Sequence, residues 1–233
     1  MMRQMLTSMP VLMALTIGTY LLGVWVRTKS KISLLNPMLI SVPIIIAVLV
    51  GFDIPQQRYM ECNQMISFML GPCVVSLGLS LYEQRETIRR HLVPILSAVL
   101  VGSTVGIVSV WALCRLFDLP QLFLLSMEAK SVTVPIAMDV TKGVGGNVAI
   151  TAVSVAICGL FGGIFGPAIL KTLQVKNPIA FGTAMGSASH GIGTARSLEI
   201  GAIEGAVSGL CIALMGVATA VLVPIINNIL SIQ

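Results

Sequence analysis

Long apolar stretches separated by short polar connections dominate the chain. Each stretch is close to or above the ~20 residues that an α-helix needs to cross the hydrocarbon core of a bilayer. The apolar and polar residues do not alternate in the ~10-residue runs that are typical of an outer-membrane β-strand. The pattern therefore predicts an all-α polytopic membrane protein with about eight transmembrane or re-entrant segments. These segments fall at roughly 6–26, 34–51, 64–82, 92–114, 121–140, 147–170, 178–197 and 205–230.

The composition agrees with a membrane domain and excludes a soluble one. Of the 233 residues, 56% are hydrophobic and only 10% are charged, whereas a soluble domain carries about 25% charged residues. The connections between the apolar segments are short, so they leave no room for a separate soluble module. We therefore predict that residues 1–233 form a single transmembrane domain that lies in the lipid bilayer.

The basic residues indicate orientation rather than a nucleic-acid partner. The 14 Lys and Arg residues give a net charge of +5, but they are scattered over connections with few aromatic neighbours, which excludes nucleic-acid binding. Basic connections mark the cytoplasmic side of a membrane protein, so the clusters in 27–31 and 85–90 place the N-terminus outside. Lys171 and Lys176 face the cytoplasm only if the segment at 121–140 does not fully cross. This segment is therefore predicted to be irregular.

The sequence contains no pattern that is typical of an enzyme or of a metal site. The five cysteines are far apart and show no metal-binding or redox spacing, so we interpret them as small core residues. Neither a Ser-His-Asp order nor a Walker loop is present. We therefore expect no metal, no cofactor and no enzymatic activity.

Two stretches place polar and charged residues where a continuous membrane helix would be apolar. The first covers 127–139 and contains Lys130, and the second covers 186–196 and contains three glycines. A charge at mid-membrane costs at least ~2.5 kcal/mol, so it normally lines a cavity or pairs with another charge. Irregular backbone at this depth survives only inside the protein or beside water. We therefore predict broken helices near 130–136 and 187–194.

The broken helices predict an anion-binding site. A broken helix presents free N–H groups and the positive end of its dipole. Hydroxyl groups and two cations lie beside the breaks, and a histidine, whose ordinary pKa is near ~6.5, is a candidate carrier of a coupled proton. A carboxylate fits this set well, because arginine can bind it bidentately. The predicted substrate-binding residues are Lys130, Ser131, Thr133, Ser189, His190, Thr194 and Arg196.

Structural alternatives stay open for the charged members of this set. Lys130 could pair with Glu128 or Asp139, or extend its ammonium group towards a membrane surface. His190 could be a hydrogen-bonded packing residue rather than part of a proton relay. Arg196 could be a topology charge near a membrane surface.

Two further patterns concern symmetry and assembly. Val-Pro-Ile at 42–44 is followed by Gly-Pro at 71–72, and the same tripeptide at 134–136 is followed by Gly-Pro at 166–167. A shift of three segments reverses orientation, so this pattern favours an inverted repeat, although short matches also arise by chance. The four glycines in 159–166 let another helix approach closely, so they predict a homodimer; the alternative is that they pack only within the chain.

The two polar stretches also carry a family resemblance. Residues 130–137 resemble the signature Lys-Ser-Val-Thr-Thr-Pro-Ile-Ala, and residues 186–196 resemble Gly-Thr-Ala-Ser-His-x-x-Gly-Thr-Ala-Arg. With the matching Leu-Asn-Pro at 35–37, they identify the chain as similar to the LrgB/CidB family of bacterial membrane proteins. That family includes the YohK proteins and the membrane half of the plastid glycolate/glycerate translocator. Val134 departs from the signature threonine and removes one hydroxyl from the predicted site.

The resemblance implies two competing classes of function. In the first, the chain is a multi-pass secondary transporter in the bacterial inner membrane, and its substrate is a small anionic metabolite such as glycolate, glycerate or pyruvate. In the second, it is an antiholin-like regulator of murein hydrolase activity and cell lysis that acts with a holin-like LrgA/CidA membrane subunit. We favour the transporter, because a pore regulator does not need Lys130, His190 and Arg196 on broken helices.

Overall fold

The computed structural model describes residues 7–30 and 37–230, and the regular structure in these ranges is helical without a strand. The predicted all-α class is therefore confirmed for this part of the chain. Lys31, Leu35 and Asn36, which belong to the basic cluster and to the Leu-Asn-Pro motif, lie outside the described residues. In chain order the helices are α1 (Met9–Ser30), α2 (Pro37–Gly51), α3 (Gln56–Cys62), α4 (Gln64–Phe68), α5 (Leu70–Glu83), α6 (Arg85–Arg90), α7 (Leu92–Leu116), α8 (Gln121–Met127), α9 (Val134–Gly143), α10 (Val148–Thr172), α11 (Pro178–Ile200) and α12 (Ala202–Ile229).

Four of these helices are long and apolar enough to cross a membrane: α1, α7, α10 and α12. Large apolar side chains on them are exposed, as at Val93 (77%) and Ile157 (62%), which is the pattern expected of lipid-facing helices. The protein is therefore a membrane protein. The other predicted segments differ in length or continuity, because α2 has only 15 residues and the segments at 64–82 and 121–140 are each divided into shorter helices.

The chain divides into two compact units, one up to Ser76 and one from Leu77 onward. In the first unit α1 packs closely on α2 at Gly23. A Cβ at this position would lie only 2.7 Å from the Pro37 carbonyl oxygen, so the contact has room for glycine alone. A polar cluster ties α1 to the following helices: the Thr16 hydroxyl lies 2.8 Å from the Tyr59 hydroxyl and 2.9 Å from the Asn63 side-chain oxygen. This unit therefore combines tight backbone packing with buried hydrogen bonds.

The second unit is built around α12. Its side chains Val207, Cys211 and Met215 form one core cluster with Ile95 and Val99 of α7. Helix α11 packs on α12 at small residues on α11, and a Cβ on Gly186 would lie 2.9 Å from the Cys211 Cβ. Such close approach of two helix backbones is how helices associate where burial of apolar surface gives little driving force.

The glycine face of α10 packs inside the second unit. A Cβ on each of its four glycines would clash with a side chain of α11. The glycines therefore pack within the chain, as in the alternative, and they give no support to the predicted homodimer interface. The contacts pair Gly159 with His190, Gly162 with Ser189, Gly163 with Ile192 and Gly166 with Met185.

Candidate functional site

The first predicted interruption lies between α8 and α9. Helix α8 ends at Met127, residues 128–133 form turns, and α9 begins at Val134. Thr133 has extended backbone angles, and Pro135 occupies the first turn of α9, where its missing N–H group breaks no helical hydrogen bond. The interruption predicted from the charges and the proline is therefore confirmed.

The second interruption lies within α11, at His190. This residue has a φ of 40° and a ψ of −130°, a conformation that favours glycine and strains any other residue. Its imidazole Nε2 lies 3.0 Å from the Val155 carbonyl oxygen, and its ring packs over Gly159 of α10. The break predicted at 187–194 is confirmed, and the imidazole is hydrogen-bonded as in the packing alternative.

A cavity of about 700 Å³ is lined by residues of the first interruption and by Ser187 and Ala188, which shortly precede His190 in α11. Its walls are α7, the first half of α11, and Lys130 with Ser131 from the break between α8 and α9. A second cavity of about 330 Å³ is lined by Lys130, by α10 and by Ser189 of α11. Lys130 and Ala188 border both cavities, and Lys130 is the charged residue of the two.

The ammonium group of Lys130 lacks a carboxylate partner in the part of the chain that the structure describes. Its Nζ donates a hydrogen bond to the Ser131 hydroxyl at 3.3 Å. The two acids proposed as partners are engaged elsewhere, because Asp139 pairs with Lys142 at 3.4 Å and Glu128 accepts from Asn227. The structure therefore does not support the ion-pair alternative for Lys130, and it places a positive charge beside largely apolar walls.

Further hydroxyl groups line the two cavities that Lys130 borders. Ser189 is fully buried at the smaller cavity, and its hydroxyl has no hydrogen-bond partner. Thr183 and Ser187 line the larger cavity, near the thiol of Cys211 and without a hydrogen bond of ordinary geometry. Buried polar groups are normally hydrogen-bonded, so these hydroxyls are available to a polar ligand.

Four of the predicted site residues do not line either of these two cavities. Thr133 precedes α9, His190 packs on α10, and the Thr194 hydroxyl lies 2.7 Å from the Ser208 hydroxyl in the contact with α12. The Arg196 guanidinium donates a hydrogen bond to Glu199 one turn further along α11. The structure thus brings together Lys130, Ser131 and Ser189, and a substrate contact from the other four stays a prediction.

Sequence reasoning missed several residues of the larger cavity, including Asn177 at its edge. The Asn177 side-chain oxygen caps α11 by accepting from the N–H groups of Ile179 and Ala180, at 2.8 and 3.2 Å. The sequence does indicate this position, because Asn177 followed by Pro178 is typical of the start of a helix. Thr183 and Ser187 repeat at a spacing of four, which places them on one face of α11.

The sequence is similar to proteins of several bacteria. The sequence profile of the LrgB-like family matches residues 16–229. Over 216 residues, uncharacterized protein YxaC of Bacillus subtilis is 35% identical and an uncharacterized protein of Haemophilus influenzae is 36% identical, and both alignments cover 93% of this chain and 94% of the relative. The antiholin-like protein LrgB of Bacillus mycoides is 31% identical over 213 residues, which is 91% of each chain. No solved structure matches the chain.

Proposed function

The chain belongs to the LrgB-like family, and on that premise we propose that it is a secondary transporter of small carboxylates across the bacterial inner membrane. The observation that carries this proposal is Lys130, a cation without a carboxylate partner in the described ranges, which borders two cavities of the second unit. Lys130 is half-buried, and a charge that is partly removed from water is stabilised by an opposite charge and by hydrogen bonds. A transported carboxylate supplies the missing negative charge.

The neighbouring hydroxyls give this site its chemical preference. The Lys130 ammonium group binds the carboxylate, and Ser131 donates to it from the same turn. Ser187 and Ser189 lie on the two cavity walls of α11, where they donate to a 2-hydroxy or 2-oxo group. Substrates such as glycolate, glycerate or pyruvate carry a carboxylate and such an oxygen on adjacent carbons, so we propose this class.

The route of transport follows from the position of Lys130 between the cavities. We assign one cavity to each side of the membrane, with Lys130 and Ala188, which border both, forming the barrier. A small rearrangement of the two interruptions then exposes Lys130 to one cavity at a time. This is the alternating access expected of transporters with broken helices, and it involves no enzymatic step.

The proposal extends to architecture and assembly. We propose that both units belong to one membrane domain of about eight transmembrane or re-entrant segments, with an inverted repeat that relates the segments of Pro43 and Pro135. We also propose a homodimer that uses a face other than the α10 glycines, and an LrgA/CidA-like membrane subunit as partner. Crosslinking in native membranes, with and without this subunit, tests both contacts.

The second candidate function is regulation of cell lysis. It is favoured by the name of the antiholin-like LrgB relative from Bacillus mycoides. A regulator of this kind acts by contact with a pore-forming protein and needs no internal anion site. The two candidates therefore differ in what they predict for Lys130.

The decisive experiment is uptake of labelled glycolate, glycerate and pyruvate into proteoliposomes. Lys130→Met removes the charge but keeps the length of the side chain, and Lys142→Met is the matched control because Lys142 forms an exposed ion pair with Asp139. Hydrogen bonds to a charged group contribute about 1.5–3 kcal/mol, so we expect Lys130→Met to weaken apparent substrate affinity about tenfold or more. Lys142→Met is expected to transport normally.

Two outcomes would contradict the proposal. One is the absence of both uptake and exchange for all three acids by the folded wild-type protein. The other is unchanged uptake by Lys130→Met. If either result is combined with altered lysis of cells that carry the variant, the regulator function is supported instead.

A further inference from the structure

We propose that Glu128 and Asn227 form a proton-binding site in the second unit, and that a proton bound there moves together with the carboxylate held by Lys130. The proton site is defined by contacts that the anion site does not use. Its coupling to a carboxylate rests on the proposed function. The site itself does not, so the two can be tested separately.

The pair lies in the interior of the second unit. Glu128 is the residue that follows α8, and Asn227 lies near the end of α12. Their side chains are 3% and 5% exposed, and the Asn227 Nδ2 donates a hydrogen bond to the Glu128 Oε2 at 2.8 Å. A carboxyl group is thus removed from solvent with a neutral amide as its hydrogen-bond donor.

The remaining atoms of the pair lack partners. The Glu128 Oε1 and the Asn227 Oδ1 are both buried and make no hydrogen bond. No Lys or Arg nitrogen lies within 4.0 Å of Glu128 in the described ranges. An ionised carboxylate in this position would be a buried charge without a counter-ion, which is strongly unfavourable.

One proton on Glu128 removes the uncompensated charge and gives both unpartnered oxygens a hydrogen bond. A carboxylate only accepts hydrogen bonds, whereas a protonated carboxyl also has one O–H donor. A proton on Oε1 allows this oxygen to donate to the Asn227 Oδ1, while Oε2 keeps the bond from Nδ2. The result is a carboxylic acid–amide pair that is joined by two hydrogen bonds, with no charge left in the interior.

The other titratable groups considered near Glu128 do not neutralise its carboxylate in place of a proton. On α7 the Cys114 thiol lies within electrostatic range of the Glu128 carboxyl, and a thiol does not neutralise a carboxylate. Lys130 lies two residues along in the same interruption but donates to Ser131. His190, the other buried titratable group of the interruptions, is held by Val155. Glu128 is therefore the group that gains most from a proton.

Glu128 and Lys130 lie two residues apart in the same turn, so we propose that their charges couple the two sites. When Glu128 is ionised, its negative charge opposes an anion at Lys130, and when it is protonated this opposition disappears. Proton and monocarboxylate therefore bind together, and each pair that crosses carries no net charge. Substrate exchange at equal pH needs no net proton movement, whereas accumulation driven by a pH gradient does.

The first arm of the test detects the proton without transport. Infrared difference spectra of the purified protein, recorded over a pH titration, are expected to contain the carbonyl stretch of a protonated carboxylic acid. This band should be absent in Glu128→Gln and retained in Asp139→Asn, whose carboxyl is exposed and paired with Lys142. A band that Glu128→Gln leaves unchanged would overturn the proposed site.

The second arm measures two transport modes in proteoliposomes. Glu128→Gln is expected to keep substrate exchange and to lose accumulation driven by an inward proton gradient, with Asp139→Asn again as control. Glu128→Asp retains a titratable group and should restore part of the accumulation, which keeps the test valid if Glu128→Gln folds poorly. Accumulation that depends on a sodium gradient instead, or that Glu128→Gln performs normally, would overturn the coupling.

The two arms separate the two proposals. If the wild-type protein performs neither exchange nor accumulation, the transport function fails, and the infrared band still decides whether Glu128 binds a proton. If exchange is present while the infrared band is missing, the transport function stands and the proton site fails.

Discussion

Substitution of Gly159 by alanine tests whether the break in α11 depends on the glycine face of α10. A Cβ on Gly159 would lie 2.5 Å from the His190 Cε1 and 2.6 Å from Nε2. Contacts below 3.0 Å cannot be absorbed in place, so the ring must move. It then loses its 3.0 Å hydrogen bond to the Val155 carbonyl.

The size of the effect follows from three contributions. Overpacking costs about 1–3 kcal/mol, and the broken buried hydrogen bond costs about 1–3 kcal/mol. Alanine in place of glycine within a helix stabilises the folded state by about 1 kcal/mol. We therefore expect Gly159→Ala to lower the free energy of unfolding by about 3 kcal/mol. The matched control is Gly18→Ala, whose Cβ meets no atom within 4 Å, and it should be neutral or slightly stabilising.

The assay is reversible denaturation in mixed detergent micelles, followed by a double-mutant cycle. His190→Ala removes the ring, so the added methyl group at position 159 should cost little in that background. Coupling of this kind is what a cycle measures. Equal stability of Gly159→Ala and Gly18→Ala would refute the reasoning, as would an undiminished penalty in the double variant.

The remaining predictions concern capping, buried hydroxyls and the arginine. Asn177→Ala removes the cap of α11 and should cost about 1 kcal/mol in the same denaturation assay; no change would show that the cap is dispensable. Thr151→Val deletes a buried hydroxyl that bonds the Thr141 hydroxyl at 2.9 Å, and should cost about 1–3 kcal/mol because its partners stay buried; a neutral result would contradict this. Arg196→Lys keeps the charge but not bidentate binding, so if Arg196 contacts substrate, uptake falls strongly while stability does not. Normal uptake would show that Arg196 has a structural role, to which its hydrogen bond with Glu199 belongs.

The two interruptions were predictable because charged residues are unfavourable in a continuous membrane helix. Their presence in a predicted segment therefore indicates a break. Lys130 lies in a polar stretch of a predicted membrane segment, and Pro135 follows it at the distance expected of a new helix start. The number of full spans was less predictable. Apolar composition alone does not distinguish a crossing helix from a short one, and α2 has only 15 residues in the described part.

The composition of the cavity wall was only partly predictable, because helical periodicity fails at a break. The φ of 40° at His190 changes the direction in which the rest of α11 presents its side chains. Ser189 therefore lines a cavity, while Thr194 contacts Ser208 of α12. The pairing of Glu128 with Asn227 joins residues 99 positions apart, and no local pattern indicates it.

The polar interior of α11 has a consequence for biogenesis. Among the described helices, α10 and α12 are apolar enough to span a membrane, whereas α11 between them is not. Charged residues make insertion of a helix by the translocon less favourable, and α11 contains Arg196 and Glu199 near its end as well as His190. Its stable surroundings are the glycine face of α10, which is synthesised before it, and the small-residue contact with α12, which is synthesised after it. We therefore expect stable membrane integration of α11 to require that α12 has been synthesised as well as α10.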